Sequence, residues 1–213
     1  MTNRRRPRPP RALPGQPSAP ALAADAPPTG TTVSGCPVDP DTAARLAARP
    51  QDPRRRLPVP AMNARPGPAG TETGDFLTVD PDRVMQLAMG RLCAVCGQPV
   101  RGEYAVLVGP ASLASGASGN PSSHEGCLLA SLRLCPWISI GRARRAAGRR
   151  AAGLDAVDPH LDLAKPQVWV LGVAADYTVE THGDRRVVLR PGPYLRQRRF
   201  RYDDAGALVE TPW

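Results

Sequence analysis

The first 75 residues of this 213-residue chain contain no aromatic side chain. All nine aromatic residues lie at or after Phe76, whereas 16 of the 26 prolines lie before residue 70. A segment rich in Pro, Ala, Gly and Arg that lacks aromatic rings cannot bury enough apolar surface to offset its chain entropy. We therefore expect residues 1–56 to be a disordered tail and residues 57–213 to form a single domain.

The sequence also lacks the features of exported and membrane proteins. Arg4, Arg5 and Arg6 make a charged start, but proline-rich sequence follows where a signal peptide has its apolar run. The longest apolar stretch, residues 168–175, is much shorter than the about 20 residues that cross a bilayer. We expect a cytoplasmic protein without membrane or small-molecule partners, in which the five cysteines are metal ligands or core residues rather than disulfides.

Lysine is nearly absent, so the net charge of +9 comes from arginine. Residues 1–74 carry 11 Arg against five acids, and residues 75–213 carry 17 basic residues against 14 acids. A basic tail suits loose contact with nucleic acid or another polyanion, and it is equally typical of a solvated low-complexity linker. Composition leaves this choice open.

In the middle of the chain, apolar spacing predicts two helices with one strand between them. Asp80 caps a short helix with one apolar face, and "EYAVLV" predicts a strand. Residues 109–123 are expected to be a flexible loop. The second helix begins near residue 123 and ends before Pro136, which blocks its continuation.

The remainder of the chain predicts a basic helix followed by strands. Residues 141–154 are helical in pattern, and four arginines share one face of that helix: Arg142, Arg145, Arg149 and Arg150. From about residue 166 to 211 the apolar period changes to two, which predicts antiparallel strands, and "DDAG" is the turn of a hairpin. Helices followed by antiparallel strands indicate an α+β fold.

Two short-spaced pairs of metal-ligand residues stand out. Cys93 and Cys96 form a CxxC, and His124 and Cys127 form an HxxC. Thiolate and imidazole are the ligands that tetrahedral zinc prefers, and paired spacing is their usual form. Gly97 suits a tight knuckle after the first pair, and the second pair falls where the dipole of a predicted helix favours thiolate. We predict a treble-clef-like module over residues 90–137, made of a hairpin and a helix, that holds one structural Zn²⁺; the alternative is four buried or incidental residues.

The other candidate residues are less suited to metal binding or catalysis. Cys135 lies eight residues after Cys127, about 12 Å along a helix, so we expect a buried apolar role for it, and Cys36 lies in the tail. Glu125 suits a first-turn acid. No HExxH is present because residue 128 is leucine, and the order of the pairs is the reverse of that in zinc deaminases. We therefore predict no catalytic residue.

A second group of arginines lies near the C-terminus. On a strand, Arg198 and Phe200 face one way, and Arg199 and Arg201 face the other. Guanidinium groups pair with phosphate and rings stack on bases, so this stretch and the predicted basic helix are candidates for nucleic-acid binding. The alternatives are an aromatic core with solvated arginines, and a basic helix that covers an acidic protein partner.

Several stretches resemble one group of uncharacterised proteins from actinobacteria and their phages. They are "RRRLPVPAMN", "RLCAVCGQPV", "HEGCLLASLRLCP", "KPQVWVLGV" and "RRFRYDDAGALVE". The likeness spans about residues 57 to 210, and related sequences sometimes have cysteine where this chain has His124. The resemblance implies a zinc-motif protein and brings no established activity.

Three functions follow from these observations. The first is a non-enzymatic zinc protein that binds nucleic acid, or a partner associated with nucleic acid, through arginine-rich surfaces. The second is a protein–protein adaptor of a phage or a regulatory system, in which zinc is purely structural. The third and least favoured is a metal-dependent hydrolase or nuclease. The oligomeric state is left open.

Overall fold

The computed structural model describes residues 38–76, 79–141, 165–182 and 186–213. These residues form five α-helices and eight strands. The helices are α1 (Pro40–Ala47), α2 (Pro81–Met89), α3 (Pro110–Ser115), α4 (Glu125–Leu134) and α5 (Pro136–Ser139). The strands are β1 (Ala64–Pro66), β2 (Glu72–Gly74), β3 (Tyr104–Val108), β4 (Val168–Ala174), β5 (Tyr177–His182), β6 (Arg186–Pro191), β7 (Tyr194–Tyr202) and β8 (Leu208–Thr211).

All strand pairings in the described part of the chain are antiparallel, so the predicted mixture of helices and antiparallel sheet is confirmed. The main sheet has the order β3-β4-β7-β8, while β1-β2 and β5-β6 are separate hairpins. No described helix is long and apolar enough to cross a bilayer.

Strand β4 lies inside the main sheet and separates two apolar clusters. Trp169 and Leu171 face the cluster that contains α4 and three cysteines. Val170 faces the opposite cluster, which is built from α2, β3 and the β5-β6 hairpin. Alternation along a strand puts neighbouring side chains on opposite faces, and both faces of β4 are covered. The near-continuous apolar sequence of this strand follows from that burial.

Several predicted elements are present at the expected places. The Asp80 side chain accepts a hydrogen bond from the Asp82 backbone N–H and caps α2. Helix α4 ends at Leu134, two residues before Pro136. The "DDAG" segment joins β7 to β8, and Gly206 has a φ of 81°, a conformation that glycine adopts without strain.

The N-terminal boundary of the folded unit differs from the prediction. We expected disorder through residue 56, but α1 forms within that range and packs against α4. Leu46 and Asp52 are buried there, which shows that this segment contributes to the core without any aromatic residue. The composition argument fails because small apolar side chains suffice when another element supplies the larger partner surface. Residues 1–37 lie outside the described residues.

Two further expectations need correction. The predicted loop 109–123 contains the short helix α3. The predicted zinc hairpin is not a pair of consecutive strands, because β3 pairs with the distant β4. What remains of it is a single bridge between Ala105 and Ser123. The predicted basic helix lies outside the described residues, and so do Arg142, Arg145, Arg149 and Arg150.

Candidate metal centre

The structure brings the four predicted ligand residues together. The Sγ atoms of Cys93, Cys96 and Cys127 and a ring nitrogen of His124 all lie within 4.8 Å of one another. The three cysteines are buried and His124 is half-buried. Four soft or borderline donor atoms at this spacing can hold one metal ion.

The first pair lies on a tight knuckle. The Cys96 N–H donates to the Cys93 Sγ at 3.4 Å, and the Gly97 N–H donates to the Cys93 carbonyl at 2.8 Å. Gly97 has a φ of 79°, which explains why the CxxC is followed by glycine. The knuckle closes with a bridge between Leu92 and Pro99. A backbone N–H directed at sulfur favours thiolate, the form that binds metal.

The second pair lies at the beginning of α4. His124 is the N-cap residue, and Cys127 lies in the first turn of the helix with no exposed surface. We expected the helix to begin one or two residues earlier. His124 and Cys127 nevertheless lie at the helix start, as predicted. The first turn of a helix has free backbone N–H groups and the positive end of the helix dipole, which favour thiolate over thiol.

The tautomer of His124 is set by its second ring nitrogen. Nε2 lies 3.2 Å from the Pro99 carbonyl oxygen, and a carbonyl only accepts hydrogen bonds, so Nε2 carries the proton. In the neutral ring, Nδ1 then has a free electron pair. Nδ1 is the nitrogen that faces the cysteines, at 3.5 Å from Cys96 Sγ and 3.8 Å from Cys127 Sγ. A hydrogen bond from the other ring nitrogen to a carbonyl, as His124 makes to Pro99, is typical of metal-binding histidines.

The donor spacing agrees with a tetrahedral ion. Bond lengths of about 2.3 Å to sulfur and about 2.0–2.1 Å to nitrogen put sulfur and nitrogen ligands about 3.6 Å apart in a tetrahedron. The two distances from the His124 Nδ1 to sulfur, 3.5 and 3.8 Å, lie on either side of this value. These two distances therefore suit a zinc-sized ion.

The ionisation states of Cys93, His124 and Cys127 depend on one another. Hydrogen bonds from Cys127 and Cys96 lower the pKa of Cys93. The hydrogen bond to Cys93, followed by that to Cys96, raises the pKa of His124 to about 10 and also raises the pKa of Cys127. These shifts favour a thiolate at Cys93 and protons on His124 and Cys127. A divalent cation replaces those protons, so metal binding releases protons.

A supporting layer that we did not predict surrounds the knuckle. The backbone N–H groups of Ala61 and Met62 donate to the carbonyls of Val95 and Ala94, at 2.8 and 2.9 Å. Arg49 is buried, donates to the Val59 carbonyl at 3.1 Å and pairs with Glu72 at 2.6 Å. These contacts come from backbone atoms and from residues distant in sequence. A sequence motif therefore could not predict these supporting contacts.

The other candidate residues near the cluster lie at the two ends of α4. Cys135 is half-buried at the end of α4 and is not one of the four clustered ligands. Glu125 is the first residue of α4, as expected, and its carboxylate pairs with Arg196 on β7. Arg196 also pairs with Glu103, at 2.6 Å. Glu125 therefore joins the helix to the sheet. Cys36 lies outside the described residues.

The C-terminal arginines lie on β7 with the predicted alternation. Phe200 is buried in the cluster that includes the cysteines, and Arg199 is in register with Val170, which faces the other way. The Arg198 guanidinium makes two hydrogen bonds to Glu210, at 2.8 and 2.7 Å, and lies over the Phe200 ring. Arg198 is thus engaged within the fold.

Arg199 and Arg201, on the face of β7 opposite Arg198 and Phe200, are engaged to different extents. The Arg199 Nε donates to the Thr211 Oγ1 at 3.1 Å, and its guanidinium lies 5.8 Å from the ring centroid of Trp213. Within the part of the chain that the structure describes, the Arg201 side chain makes no ion pair. These two residues keep donors for an anionic partner, whereas Arg198 is already paired with the Glu210 carboxylate.

No protein-family model, curated protein or solved structure matches the chain. The resemblance to actinobacterial and phage proteins stays a prediction.

Proposed function

We propose that Cys93, Cys96, His124 and Cys127 bind one structural Zn²⁺ in a treble-clef-like module. The observation that carries this proposal is the four-donor cluster, whose members lie within 4.8 Å of one another. Thiolate ligands select zinc over the hard cations Mg²⁺ and Ca²⁺. A knuckle that supplies one pair and a helix start that supplies the other are the parts of a treble clef. Here, a long-range sheet replaces the local hairpin.

The donor set favours a structural role over a catalytic one. Four protein ligands complete a tetrahedral shell, whereas a catalytic zinc keeps one position for water or substrate. Glu125, the acid nearest to the ligands in sequence, pairs with Arg196. A hydrolase or nuclease is therefore the least supported alternative.

We further propose that the zinc module supports binding to nucleic acid. The net charge of +9 consists almost entirely of arginine, whose planar guanidinium matches phosphate. Arg199 and Arg201 are the predicted residues of β7 that retain donors for such a contact. An adaptor that binds an acidic protein is the alternative, and co-purification of a partner that survives nuclease treatment would favour it.

The metal proposal is tested by native mass spectrometry of the full chain expressed with zinc. We expect one zinc per chain, lost on chelation together with the folded structure, because structural zinc contributes on the order of 10 kcal/mol to folding. Cys127→Ser should abolish zinc binding, and the matched variant Cys135→Ser should retain one zinc. A well-folded protein that carries no metal, or a loss of zinc in both variants, would contradict the assignment.

A further inference from the structure

The loop that contains Arg54, Arg55 and Arg56 is held in one backbone conformation. The buried carboxylate of Asp52 accepts hydrogen bonds from the backbone N–H groups of Arg54 and Arg55, at 2.9 and 2.7 Å. The Arg56 N–H donates to the Asp52 carbonyl, and the Asp52 N–H donates to the Leu57 carbonyl, both at 2.8 Å. Burial opposes ionisation of Asp52, but the N–H groups of Arg55 and Arg54 lower its pKa below the usual value. We call residues 52–57 the arginine loop.

The conformation of this loop is unfavourable for its own residues. Arg56 has a φ of 56°, in the left-handed region that non-glycine residues avoid. Three adjacent guanidinium groups also repel one another. A sequence selected for stability alone would have glycine or asparagine at position 56. Strain of this kind concentrates at sites with a function other than folding.

Among the described residues, two of the three cations have no acidic partner. Arg55 contacts the Asp52 carboxylate at 3.4 Å and lies over the Phe76 ring at 5.8 Å from its centroid. Arg54 and Arg56 are exposed, and within the described residues neither side chain makes an ion pair. The loop therefore presents two unneutralised guanidinium groups on a fixed backbone.

The base of the arginine loop is attached to the metal centre. The Val59 N–H donates to the Pro50 carbonyl at 2.7 Å, and Ala61 then pairs with Val95 of the knuckle. Buried Arg49 contacts both the base of the arginine loop and the knuckle. Its Nε donates to the Val59 carbonyl, and its Nη1 lies 3.6 Å from the point where a Cβ on Gly97 would be. The metal module thus fixes the direction in which the loop projects.

We propose that the arginine loop is a preordered contact for the phosphate backbone of nucleic acid, made by Arg54 and Arg56. This inference rests on the proposed nucleic-acid-binding function and locates a contact that the linear sequence assigns to a disordered tail. A rigid loop loses little entropy when it binds, and each guanidinium offers a paired set of donors to phosphate oxygens. Because the loop reads no base edge, binding through it is independent of sequence.

The composition of the loop favours nucleic acid over a lipid surface. Peripheral membrane binding combines cations with exposed apolar side chains that enter the acyl boundary. Between Asp52 and Leu57 the residues are one proline and three arginines, and Leu57 is half-buried. Carboxylates of an acidic protein present similar oxygens, so the experiment includes that partner as a competing outcome.

The test measures binding of the zinc-loaded full chain to a short labelled DNA duplex of mixed sequence, by fluorescence anisotropy between about 50 and 200 mM salt. The variant combines Arg54→Ala with Arg56→Gly, because glycine at position 56 removes the cation and relieves the backbone. We expect affinity to fall roughly tenfold and the slope of log K against log salt to decrease by about two, with an unchanged or higher melting temperature. The matched control combines Arg65→Ala with Arg101→Ala, which removes the same charge from two other exposed positions and should change the slope much less.

A second variant separates loop order from charge. Asp52→Ala raises the net charge by one, so simple electrostatics predicts tighter binding. It also removes the acceptor that fixes the loop, so our proposal predicts weaker binding.

The outcomes separate this inference from the proposed function. If the wild type binds DNA and the Arg54/Arg56 variant binds equally well with an unchanged slope, this inference is wrong and the proposed function stands. If the wild type binds no nucleic acid at low salt, both are wrong. Binding of a glutamate-rich peptide or of phosphatidylserine vesicles in place of DNA would show that the partner class is wrong.

Discussion

At the scale of single residues, the metal centre depends on a glycine that lies between two of the ligand residues. Gly126 lies between His124 and Cys127, and α1 packs directly over it. A Cβ at this position would lie 2.5 Å from the Thr42 Oγ1 and 2.8 Å from the Asp39 Oδ2. Because Gly126 has no side chain, α1 can pack over the first turn of α4. Glycine is therefore required at position 126 by close packing rather than by an unusual φ.

We predict that Gly126→Ala displaces α1 and destabilises the protein by about 1–3 kcal/mol, the usual cost of overpacking. Urea unfolding of the zinc-loaded protein measures the loss. The control is Gly119→Ala, where a Cβ meets nothing within 4 Å. Equal stability of the two variants would show that α1 does not pack closely on this turn.

At the scale of elements, the β7-β8 hairpin is held by an ion pair with two parallel hydrogen bonds. The Arg198 guanidinium forms an ion pair with the Glu210 carboxylate, and both side chains are about one-third exposed. The Arg198 guanidinium lowers the pKa of Glu210, against the opposing effect of burial. A folded-state pKa below the unfolded value means that the carboxylate stabilises the fold above the unfolded pKa, near 4.3. This stabilisation is lost as pH falls through the lowered folded pKa.

We predict that Glu210→Gln lowers the free energy of unfolding by about 1 kcal/mol at pH 7 and that the difference from wild type disappears in the acid range below about pH 4. Urea unfolding at several pH values measures both. Glu180→Gln is the comparison, because its pair with Arg190 is more exposed and should contribute less. A deficit in Glu210→Gln that is constant with pH would refute the electrostatic explanation.

At the scale of the whole molecule, residues 38–56 belong to the unit that contains the four-donor cluster. They supply α1, the buried Arg49 and the arginine loop, and they precede the strand-like segment that pairs with the knuckle. A linear division into tail and domain at residue 56 separates parts that fold together.

We predict that a chain beginning at residue 38 keeps the melting temperature of the full chain, whereas one beginning at residue 57 is less stable by at least about 3 kcal/mol. The loss follows from the buried Leu46 side chain, worth about 1.5–3 kcal/mol, and from exposure of the surface that α1 covers. Thermal melting and zinc competition with a chelator measure it. Identical behaviour of the two shortened chains would show that residues 38–56 are dispensable.

The sequence by itself determined the features that depend on local rules. The ligand pairs, the glycine of the knuckle, the cap of α2, the end of α4 and the β7-β8 hairpin are all encoded within a few neighbouring residues. Spacing, φ preference and apolar period act over that range, so they could be read without a structure. The mixture of helices and antiparallel strands follows from the same periodicities.

Only the tertiary structure decided the features that depend on distant contacts. The pairing of β3 with β4 joins residues far apart in sequence, and so does the contact of the Pro99 carbonyl that sets the His124 tautomer. The order of the arginine loop depends on burial of Asp52, which no composition count reveals. The physical reason is the same in each case: burial and register are properties of the packed chain, and the energy that orders a weakly apolar segment comes from the surface it covers.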